Sequence, residues 1–413
     1  MKLERLGNMC SIRNGYAFKS ENFTEGGVPI IRISDINDNQ VTPIKAVRIK
    51  YEPVFENFKI ENGDILIAMS GATTGKYGIF KSDEIAYQNQ RVGCFILKDE
   101  SKLNKRFLLQ AIRILKPLIE KAAYGGGQPN ISAKNIEDLK IPVPNISDQL
   151  HIANILTRAE TLITQRKESI RLLDEFLKST FLEMFYMNPE ISNWDLVKFE
   201  KLADSRKGSM RTGPFGSSLL HGEFTEDGDV KVLGIDNVVT NRFDWKRSRC
   251  ITLKKFQELK RYQVYPYDVL ISIMATLGRT AVVPEDIPIS INSKHLAAIT
   301  LNRSIANPYF VAYAFHSHPS IVRQMNSSVK GAIMDGLNLT IIKRIMFKLP
   351  PVKLQNEFGD LFIKTEVLKA QYQSSLQELE NLYGSLSQRA FRGDLRVKDE
   401  ELLMAAEPEI EYT

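Results

Sequence analysis

The chain has 413 residues, of which 43% are hydrophobic and 25% charged, which suggests two or three domains with sizeable cores and excludes global disorder. Its formal net charge of +6 indicates a mild preference for anionic partners such as nucleic acid. Three scattered cysteines without a CxxC pair, no signal peptide and no run of about 18 apolar residues argue against a disulfide framework and a membrane span, so we expect a cytoplasmic protein.

The first part of the chain, residues 1–145, is typical of a mixed, strand-rich domain. Residues 28–33 and 60–69 have the composition of short buried strands. Apolar residues at helical spacing predict a helix over 104–123. The prolines of 141–144 predict an extended connector, because a residue that precedes proline avoids the helical conformation.

Residues 146–187 follow as a predicted long helix, with Ser147 or Asp148 as its cap. Its core-type residues recur at alternating steps of four and three, which is the 3.5-residue period of a coiled-coil seam. The seam residues that carry this pattern are Ile152, Leu156, Ile163, Ile170, Leu173 and Leu177.

The second half repeats this plan. Residues 188–350 again contain short buried strands and a helix, predicted over 308–325. A second long helix, predicted over 351–397, carries a seam 206 residues after the first, at Phe358, Phe362, Tyr372, Leu376, Leu379 and Tyr383. We expect the acidic tail, 398–413, to be frayed.

An offset held over a whole helix indicates a duplicated unit. Each long helix alone would expose an apolar stripe, so we predict that the two stripes pack against each other. Arg166, Thr180, Thr365 and Lys369 interrupt the seams and could lie at the edge or help to set the register. The alternative is two unrelated amphipathic helices, each packed on its own domain.

The motif search yields no catalytic or metal-binding constellation. The loop from Gly71 to Lys76 is one residue too short for a phosphate-binding loop and lacks its hydroxyl residue. The run from Asn307 to Phe310 resembles the base-stacking box of amino-methyltransferases but lacks one proline, so a helix cap is favoured. Residues 137–140 lack the upstream acid of a nuclease, and the five histidines show no metal spacing.

Polar and basic residues gather at the predicted loop ends of both halves. Arg, Lys, Asn and Gln are the side chains that read base edges and hold phosphates, so these residues are candidates for DNA contact, although each alone could be an ordinary loop residue. In the first half they are Arg32, Ser34, Asn37, Thr74, Lys76, Gln88, Asn89, Arg91, Gln128 and Asn130. In the second half they are Arg211, Asn237, Arg279, Asn292, Lys294, His295, Lys330 and Asn338.

Several short motifs, in order and in duplicate, resemble the specificity subunit of type I restriction–modification systems over nearly the whole chain. They are Gly63-Asp64-Ile65-Leu66-Ile67, Thr74-Gly75-Lys76, Ile141-Pro142-Val143-Pro144 with Gln149, Phe181-Leu182-Glu183-Met184-Phe185, Thr212-Gly213-Pro214-Phe215-Gly216-Ser217, Leu349-Pro350-Pro351 with Gln355, and Ala390-Phe391-Arg392-Gly393-Asp394-Leu395. The first half departs from the family pattern, since Asn14-Gly15-Tyr16-Ala17-Phe18 stands where a Gly-Pro-Phe-Gly-Ser motif is expected.

The resemblance implies an α+β fold with two similar globular α/β target-recognition domains, 1–145 and 188–350, joined by two long antiparallel helices that form a coiled-coil spacer. It implies a non-catalytic subunit that recognises a two-part, gapped DNA site and docks two methyltransferase subunits and the restriction (motor–nuclease) subunits. S-adenosylmethionine, ATP and Mg²⁺ would belong to those partners, and this chain would hold no cofactor.

Two other function classes stay open at this stage. One is a protein scaffold or adaptor that uses two β-rich heads and no DNA contact. The other is a stand-alone enzyme, which the absence of nucleophile and cofactor motifs disfavours. DNA affinity that falls steeply with salt would distinguish the DNA-binding subunit from the scaffold.

Overall fold

The computed structural model describes residues 3–37, 39–123, 129–330 and 336–395, with the side chains of 329 and 330 excepted. The chain forms two compact units. Unit 1 comprises Met1–Lys167 together with Ser375–Thr413, and unit 2 comprises Glu168–Ser374. Each unit therefore contains a globular domain and one part of each long helix.

Unit 1 contains twelve strands and three short or medium helices in its described part. The strands are β1 (Leu3–Arg5), β2 (Cys10–Asn14), β3 (Val28–Ile31), β4 (Ile36–Asn37), β5 (Asn39–Val41), β6 (Val47–Ile49), β7 (Lys59–Ile60), β8 (Ile65–Ala68), β9 (Tyr77–Phe80), β10 (Ala86–Gln88), β11 (Val92–Leu97) and β12 (Lys140–Pro142). The helices are α1 (Leu6–Met9), α2 (Lys105–Ala123) and α3 (Ala133–Glu137). The first long helix is α4 (Ile146–Phe185).

Unit 2 contains ten strands and four such helices in its described part. The strands are β13 (Asp195–Lys198), β14 (Met210–Thr212), β15 (Val230–Leu233), β16 (Cys250–Ile251), β17 (Gln263–Val264), β18 (Val269–Ser272), β19 (Thr280–Val282), β20 (Ser290–Asn292), β21 (Leu296–Ile299) and β22 (Met346–Leu349). The helices are α5 (Leu253–Leu259), α6 (Pro308–Ser317), α7 (Pro319–Lys330) and α8 (Leu339–Arg344). The second long helix is α9 (Val352–Arg392).

The sheets of the two units have the same strand order. A four-stranded sheet runs β6-β3-β10-β7 in unit 1 and β16-β15-β20-β17 in unit 2, and its central pair is parallel in both. A second sheet runs β2-β11-β8-β9 in unit 1, where β5 and β4 extend it, and β14-β21-β18-β19 in unit 2. The duplication that the helix offset predicted therefore covers the globular domains as well.

The long helices pack antiparallel within each unit. In unit 1, Ile152 and Leu156 of α4 lie in one core with Leu386 and Ala390 of α9. In unit 2, Phe181 of α4 packs edge to face on Phe358 of α9, with ring centroids 5.2 Å apart. Every seam residue predicted above is buried or half-buried. These observations confirm the predicted α+β fold with two paired long helices.

Two glutamines at equivalent positions join each long helix to its domain by the same hydrogen bonds. Gln149 donates to the carbonyls of Lys102 and Pro144, at 2.8 and 3.0 Å, and accepts from the backbone N–H of Asn104. Gln355 donates to the carbonyls of Ile305 and Pro350, at 3.0 and 2.8 Å, and accepts from the backbone N–H of Asn307. Both glutamines are fully buried, so in each unit the proline connector is held against the first turn of the long helix.

Two local predictions are wrong. The helix expected over 308–325 is two helices, α6 and α7, because Pro319 has no N–H to donate and forces His318 into an extended conformation. The cap of α4 is Asn145, whose Oδ1 accepts from the Asp148 backbone at 2.9 Å, rather than Ser147 or Asp148. The predicted acidic tail, 398–413, lies outside the described residues. Among the helices of the described chain, none is long and apolar enough to cross a membrane.

Candidate nucleic-acid interface

The candidate site of unit 1 lies at the carboxyl ends of the parallel strands β3 and β10. Gln88 stands opposite Ile31 in this pair, so the segments that follow both strands leave the sheet at one edge. The predicted residues Arg32, Ser34 and Asn37 follow β3, whereas Asn89 and Arg91 follow β10. Loops at the carboxyl ends of parallel strands are a common place for binding residues, since the strands hold them rigidly.

The end of β8 brings further candidates to the same edge. The backbone N–H of Met69 donates to the carbonyl of Arg91 at 3.0 Å, and the N–H of Ile131 donates to the carbonyl of Met69 at 2.9 Å. Asn130 and Ser70 pair beside this contact. Thr74 donates its hydroxyl to the carbonyls of Gly71 and Pro129, at 2.7 and 3.2 Å, and so fixes the turn that carries Lys76.

Unit 2 builds the same edge from different side chains. Asn292 of β20 stands opposite Leu233 of β15, and Lys294 and His295 follow directly. The N–H of Ile273 donates to the carbonyl of His295 at 2.9 Å, and that of Leu337 donates to the carbonyl of Ile273 at 3.0 Å. Arg279 occupies the position of Lys76, because its carbonyl accepts from Ser272 as that of Lys76 accepts from Ala68, both at 2.8 Å.

One glycine lies against this edge in each unit. A Cβ on Gly15 would collide with the backbone carbonyls of Gln88 and Asn89, and a Cβ on Gly213 would collide with those of Asn292 and Ser293. The segment after Gly15 lacks the Gly-Pro-Phe-Gly-Ser motif, yet it packs at the same place. Glycine is required here for close approach of two backbones, which explains why the motif recurs only in part.

Four of the predicted DNA-contacting residues are buried and bonded inside the protein. Gln88 donates to the carbonyls of Arg13 and Val92, both at 2.7 Å, and Asn292 donates to the carbonyl of Leu296 at 2.7 Å. Asn237 and Arg211 are likewise buried. These side chains stabilise the ends of the strands from inside the protein.

Arg211 forms a buried ion pair with Asp268 and also donates to the carbonyl of Gln263 at 2.8 Å. The Asp268 carboxylate in addition accepts from the hydroxyl of Thr300 at 2.6 Å and from the backbone of Tyr265 at 2.9 Å. Asn237 is bonded to the loop that follows β15, at Asp244. The polar groups of both residues are therefore occupied within unit 2.

Among the other candidates, Lys76 is half-buried, whereas Arg91, Arg279 and Lys294 are exposed. Lys76, Arg91, Arg279 and Lys294 make no ion pair or side-chain hydrogen bond with a described residue. Arg32 is half-buried and lies 3.8 Å from Asp35, and the exposed Asn338 caps α8 through Ile341. Gln128 lies outside the described residues, as does the side chain of Lys330.

A large cleft of about 920 Å³ opens at the edge of unit 2. Its walls include Arg247, Arg249, Lys294 and His295. Burial, and then the positive charges of Lys294 and Arg249, lower the pKa of His295 below its ordinary value. Glu226 and Asp227 also line the cleft, and Arg249 pairs with Asp236, so Arg247 and Lys294 are the lining cations that are left for an anionic ligand.

Sequence reasoning missed Arg247, Arg249 and Trp245 in the loop between β15 and β16. The signal was present, because the run Trp245-Lys246-Arg247-Ser248-Arg249 interleaves an aromatic residue with cations, which is typical of nucleic-acid-binding segments. Burial raises the pKa of the Cys10 and Cys94 thiols to about 12, so these cysteines are poor nucleophiles. Within the described ranges, no group of three or more His, Cys, Asp or Glu side chains could hold a metal ion.

An arginine joins the domain to both long helices in each unit. In unit 1, Arg113 of α2 pairs with Glu160 of α4 and donates to the hydroxyl of Tyr383 of α9 at 3.0 Å. It also donates to the hydroxyl of Tyr77 and to Asn39, at 2.9 and 2.8 Å, which lie beside the candidate edge.

In unit 2, the corresponding arginine is Arg242, which comes from the loop after β15. It pairs with Glu366 of α9, the counterpart of Glu160, and lies 3.6 Å from Asp174 of α4. The buried Lys369, one of the residues that interrupt the seam, pairs with Asp174 and Glu366. In each unit, an arginine of the globular domain is thus connected to the helix pair of the same unit by charged contacts.

Known proteins with similar sequences and folds agree on one family. A family model described as the type I restriction modification DNA specificity domain matches residues 1–172 and 192–371. The chain is 25% identical to the type I restriction enzyme EcoBI specificity subunit of Escherichia coli, over 94% of this chain and 85% of that one. It is 22% identical to the EcoKI specificity subunit of Escherichia coli K12, over 94% and 88%.

A solved structure gives the same result for the fold. The S subunit of a type I restriction-modification system from M. genitalium has a TM-score of 0.60 with this chain at 16% identity and covers 94% of this chain and 96% of its own. A second structure, described as addressing complex assembly and conformational transition of the type I R-M system, has a TM-score of 0.55 at 17% identity.

Proposed function

The chain belongs to the family of type I restriction-modification DNA specificity subunits, and from that premise we propose that each of its units reads one half of a two-part DNA sequence. The observation that carries this proposal is the recurrence of one edge with different side chains. Arg91 and Lys76 in unit 1 stand where His295 and Arg279 stand in unit 2. A shared scaffold with different donors is what recognition of two different half-sites requires.

The cations at these two edges have two tasks in this proposal. Arg and Lys donate to phosphate oxygens, which holds the protein on the duplex, and they also donate to guanine in the major groove. Lys76, Arg91, Arg279 and Lys294 have no carboxylate partner among the described residues, so their charges are available for DNA. The buried group that includes Gln88 and Arg211 would keep these loops in place and would not touch DNA.

The partners follow from the family. We propose that two methyltransferase subunits and the restriction subunits dock on this chain, and that the paired long helices set the gap between the half-sites. S-adenosylmethionine, ATP and Mg²⁺ would then be bound by those partners, and this chain would contribute recognition and no catalytic group. The scaffold without DNA contact is not favoured by the family match.

Methylation mapping tests the proposal. Genomic DNA is sequenced with a method that detects methylated bases, from cells that express this chain with its neighbouring methyltransferase and from cells that lack it. The expected result is a methylated two-part motif with a fixed gap that is lost without this chain. An unchanged methylation pattern, with the complex shown to assemble, would refute a specificity role.

A further inference from the structure

The loop between β15 and β16 presents a three-residue tip, Trp245 to Arg247, that both of its ends hold in place. On one side, the Asp244 backbone N–H donates to the carbonyl of Asn237 at 3.1 Å, and the Asn237 side chain donates to the carbonyl of Asp244 at 2.7 Å. On the other side, the carbonyl of Arg249 accepts from Val232 at 2.8 Å, and its guanidinium pairs with Asp236. The tip is therefore organised before any ligand arrives.

Trp245 is the exposed tryptophan of this chain. Half of its side-chain surface is accessible, whereas the other tryptophan, Trp194, is 7% exposed. The indole packs edge to face on Phe243, with centroids 5.1 Å apart, which fixes its orientation and leaves a face open. A single exposed apolar residue is ordinary, and Trp245 is distinguished by its position.

That position is beside free positive charge. Arg247, two residues along, forms a wall of the cleft that Lys294 and His295 also form. Neither Arg247 nor Lys294 makes an ion pair with a described residue. An open aromatic ring next to unpaired cations fits a ligand that presents apolar and anionic groups side by side, as the thymine methyl groups and the phosphates of duplex DNA do.

Unit 1 carries an exposed apolar residue on the equivalent loop, between β3 and β6. Ile44 is 84% exposed at the tip of a turn in which the Ala46 N–H donates to the carbonyl of Pro43 at 3.0 Å, and Lys45 follows it. The two loops thus have the same topological position and the same combination of an apolar tip and an adjacent cation. They differ in the identity of the tip, as loops that read different half-sites would.

We propose that Trp245 is a specificity-determining residue whose indole packs against base edges in a groove of duplex DNA, while Arg247 and Lys294 hold the flanking phosphates. This inference rests on the proposed function and deepens it. The base contact and the phosphate contacts predict separate effects. Loss of one base contact weakens binding by about 5- to 100-fold, whereas loss of one phosphate contact lowers the slope of log affinity against log salt by about one.

The test compares four variants of the full chain on a duplex that contains the methylated motif. Trp245→Ala is expected to weaken binding by about 5- to 100-fold with the salt slope unchanged. Arg247→Ala is expected to reduce the slope by about one. Trp245→Phe retains an aromatic face and should bind more tightly than Trp245→Ala. Leu196→Ala removes a comparably exposed side chain on β13 and should match the parent.

Tryptophan fluorescence gives an independent readout on the same samples. Saturating duplex should quench the emission of the parent but not that of Trp245→Phe, in which the buried Trp194 is the tryptophan that is left. Parent binding without quenching, or equal affinity of Trp245→Ala and parent, would overturn the inference while the proposed function stands. Absence of salt-dependent binding by the parent would contradict the proposed function itself. Quenching by the methyltransferase alone would assign Trp245 to a protein contact and reject the DNA assignment.

Discussion

The sequence suggested Arg211 as a DNA contact. Variants of the buried Arg211–Asp268 pair distinguish that DNA-binding role from a structural role. Arg211 is 8% exposed and Asp268 is fully buried. Replacing Arg211 with Met would leave the Asp268 carboxylate with hydrogen bonds from Thr300 and Tyr265 but without its counter-charge. Removing one partner of a buried ion pair costs about 3–5 kcal/mol, so we expect that loss in the unfolding free energy of unit 2.

The double variant Arg211→Met/Asp268→Leu should recover much of this loss, because it removes both buried charges together. We expect a coupling energy of about 2 kcal/mol between the two positions. Both tryptophans of the chain, Trp194 and Trp245, lie in unit 2, so urea titration followed by tryptophan emission reports the unfolding of this unit alone. Asp268→Leu alone should also lower the unfolding free energy of unit 2, because it leaves the buried guanidinium of Arg211 without a counter-charge.

DNA binding by the same variants completes the experiment. If Arg211 supports the site from beneath, the double variant binds DNA with the salt slope of the parent, at a temperature where it is folded. The opposite outcome is that Arg211→Met unfolds at the parent's urea concentration while its DNA affinity and salt slope both fall. Such a result would return Arg211 to the DNA-contacting surface.

Three further predictions concern pH, unit 1 and the long helices. Burial lowers the pKa of His316 to about 4, so this residue binds more protons in the unfolded chain between pH 6.5 and 4, and its contribution to the unfolding free energy of unit 2 should fall by about 3 kcal/mol as pH drops through this window. His295, His318 and Glu366 of the same unit also have shifted pKa values, so the quantity to measure is the difference in unfolding free energy between the parent and His316→Gln in the same emission assay, and this difference should follow the window. Arg113→Ala leaves Glu160 without its guanidinium partner and should lower the unfolding free energy of unit 1 by about 2–4 kcal/mol. Hydrogen exchange over residues 146–167 measures this loss, and exchange equal to that of the parent would contradict it. Insertion of seven residues into each long helix lengthens that helix by about 10 Å, so the gap in the methylated motif should grow by about three base pairs. The two half-sequences of the motif should stay the same. An unchanged gap would rule out the spacer role.

Much of the fold followed from periodicity, because burial depends on the spacing of apolar residues. The seams of α4 and α9 are an example, and even Lys369 keeps its seam position by pairing with Asp174. The break at Pro319 was missed because the apolar pattern continues across it while one absent N–H ends the helix.

The candidate site was harder to predict from the sequence. Buried and accessible polar residues are of the same types, so the sequence alone could not show that Gln88 is buried and bonded whereas Lys76 is free. The structure distinguishes them, since Gln88 donates to carbonyls of β2 and β11, whereas Lys76 follows a turn and makes no side-chain hydrogen bond with a described residue. The loop with Trp245 and Arg247 was overlooked because its role depends on Lys294, which is distant in sequence but lines the same cleft.

The division of each long helix between the units has a genetic consequence. The chain leaves unit 1 after Lys167, completes all of unit 2 and re-enters unit 1 at Ser375. A double crossover inside the two helix-coding segments would therefore transfer a whole folded unit, together with the helix partners of its own domain. A crossover near residue 145 would instead separate Arg113 from Glu160 and Tyr383. New DNA specificities should accordingly arise most readily from recombination breakpoints within the helices rather than at the borders of the globular domains.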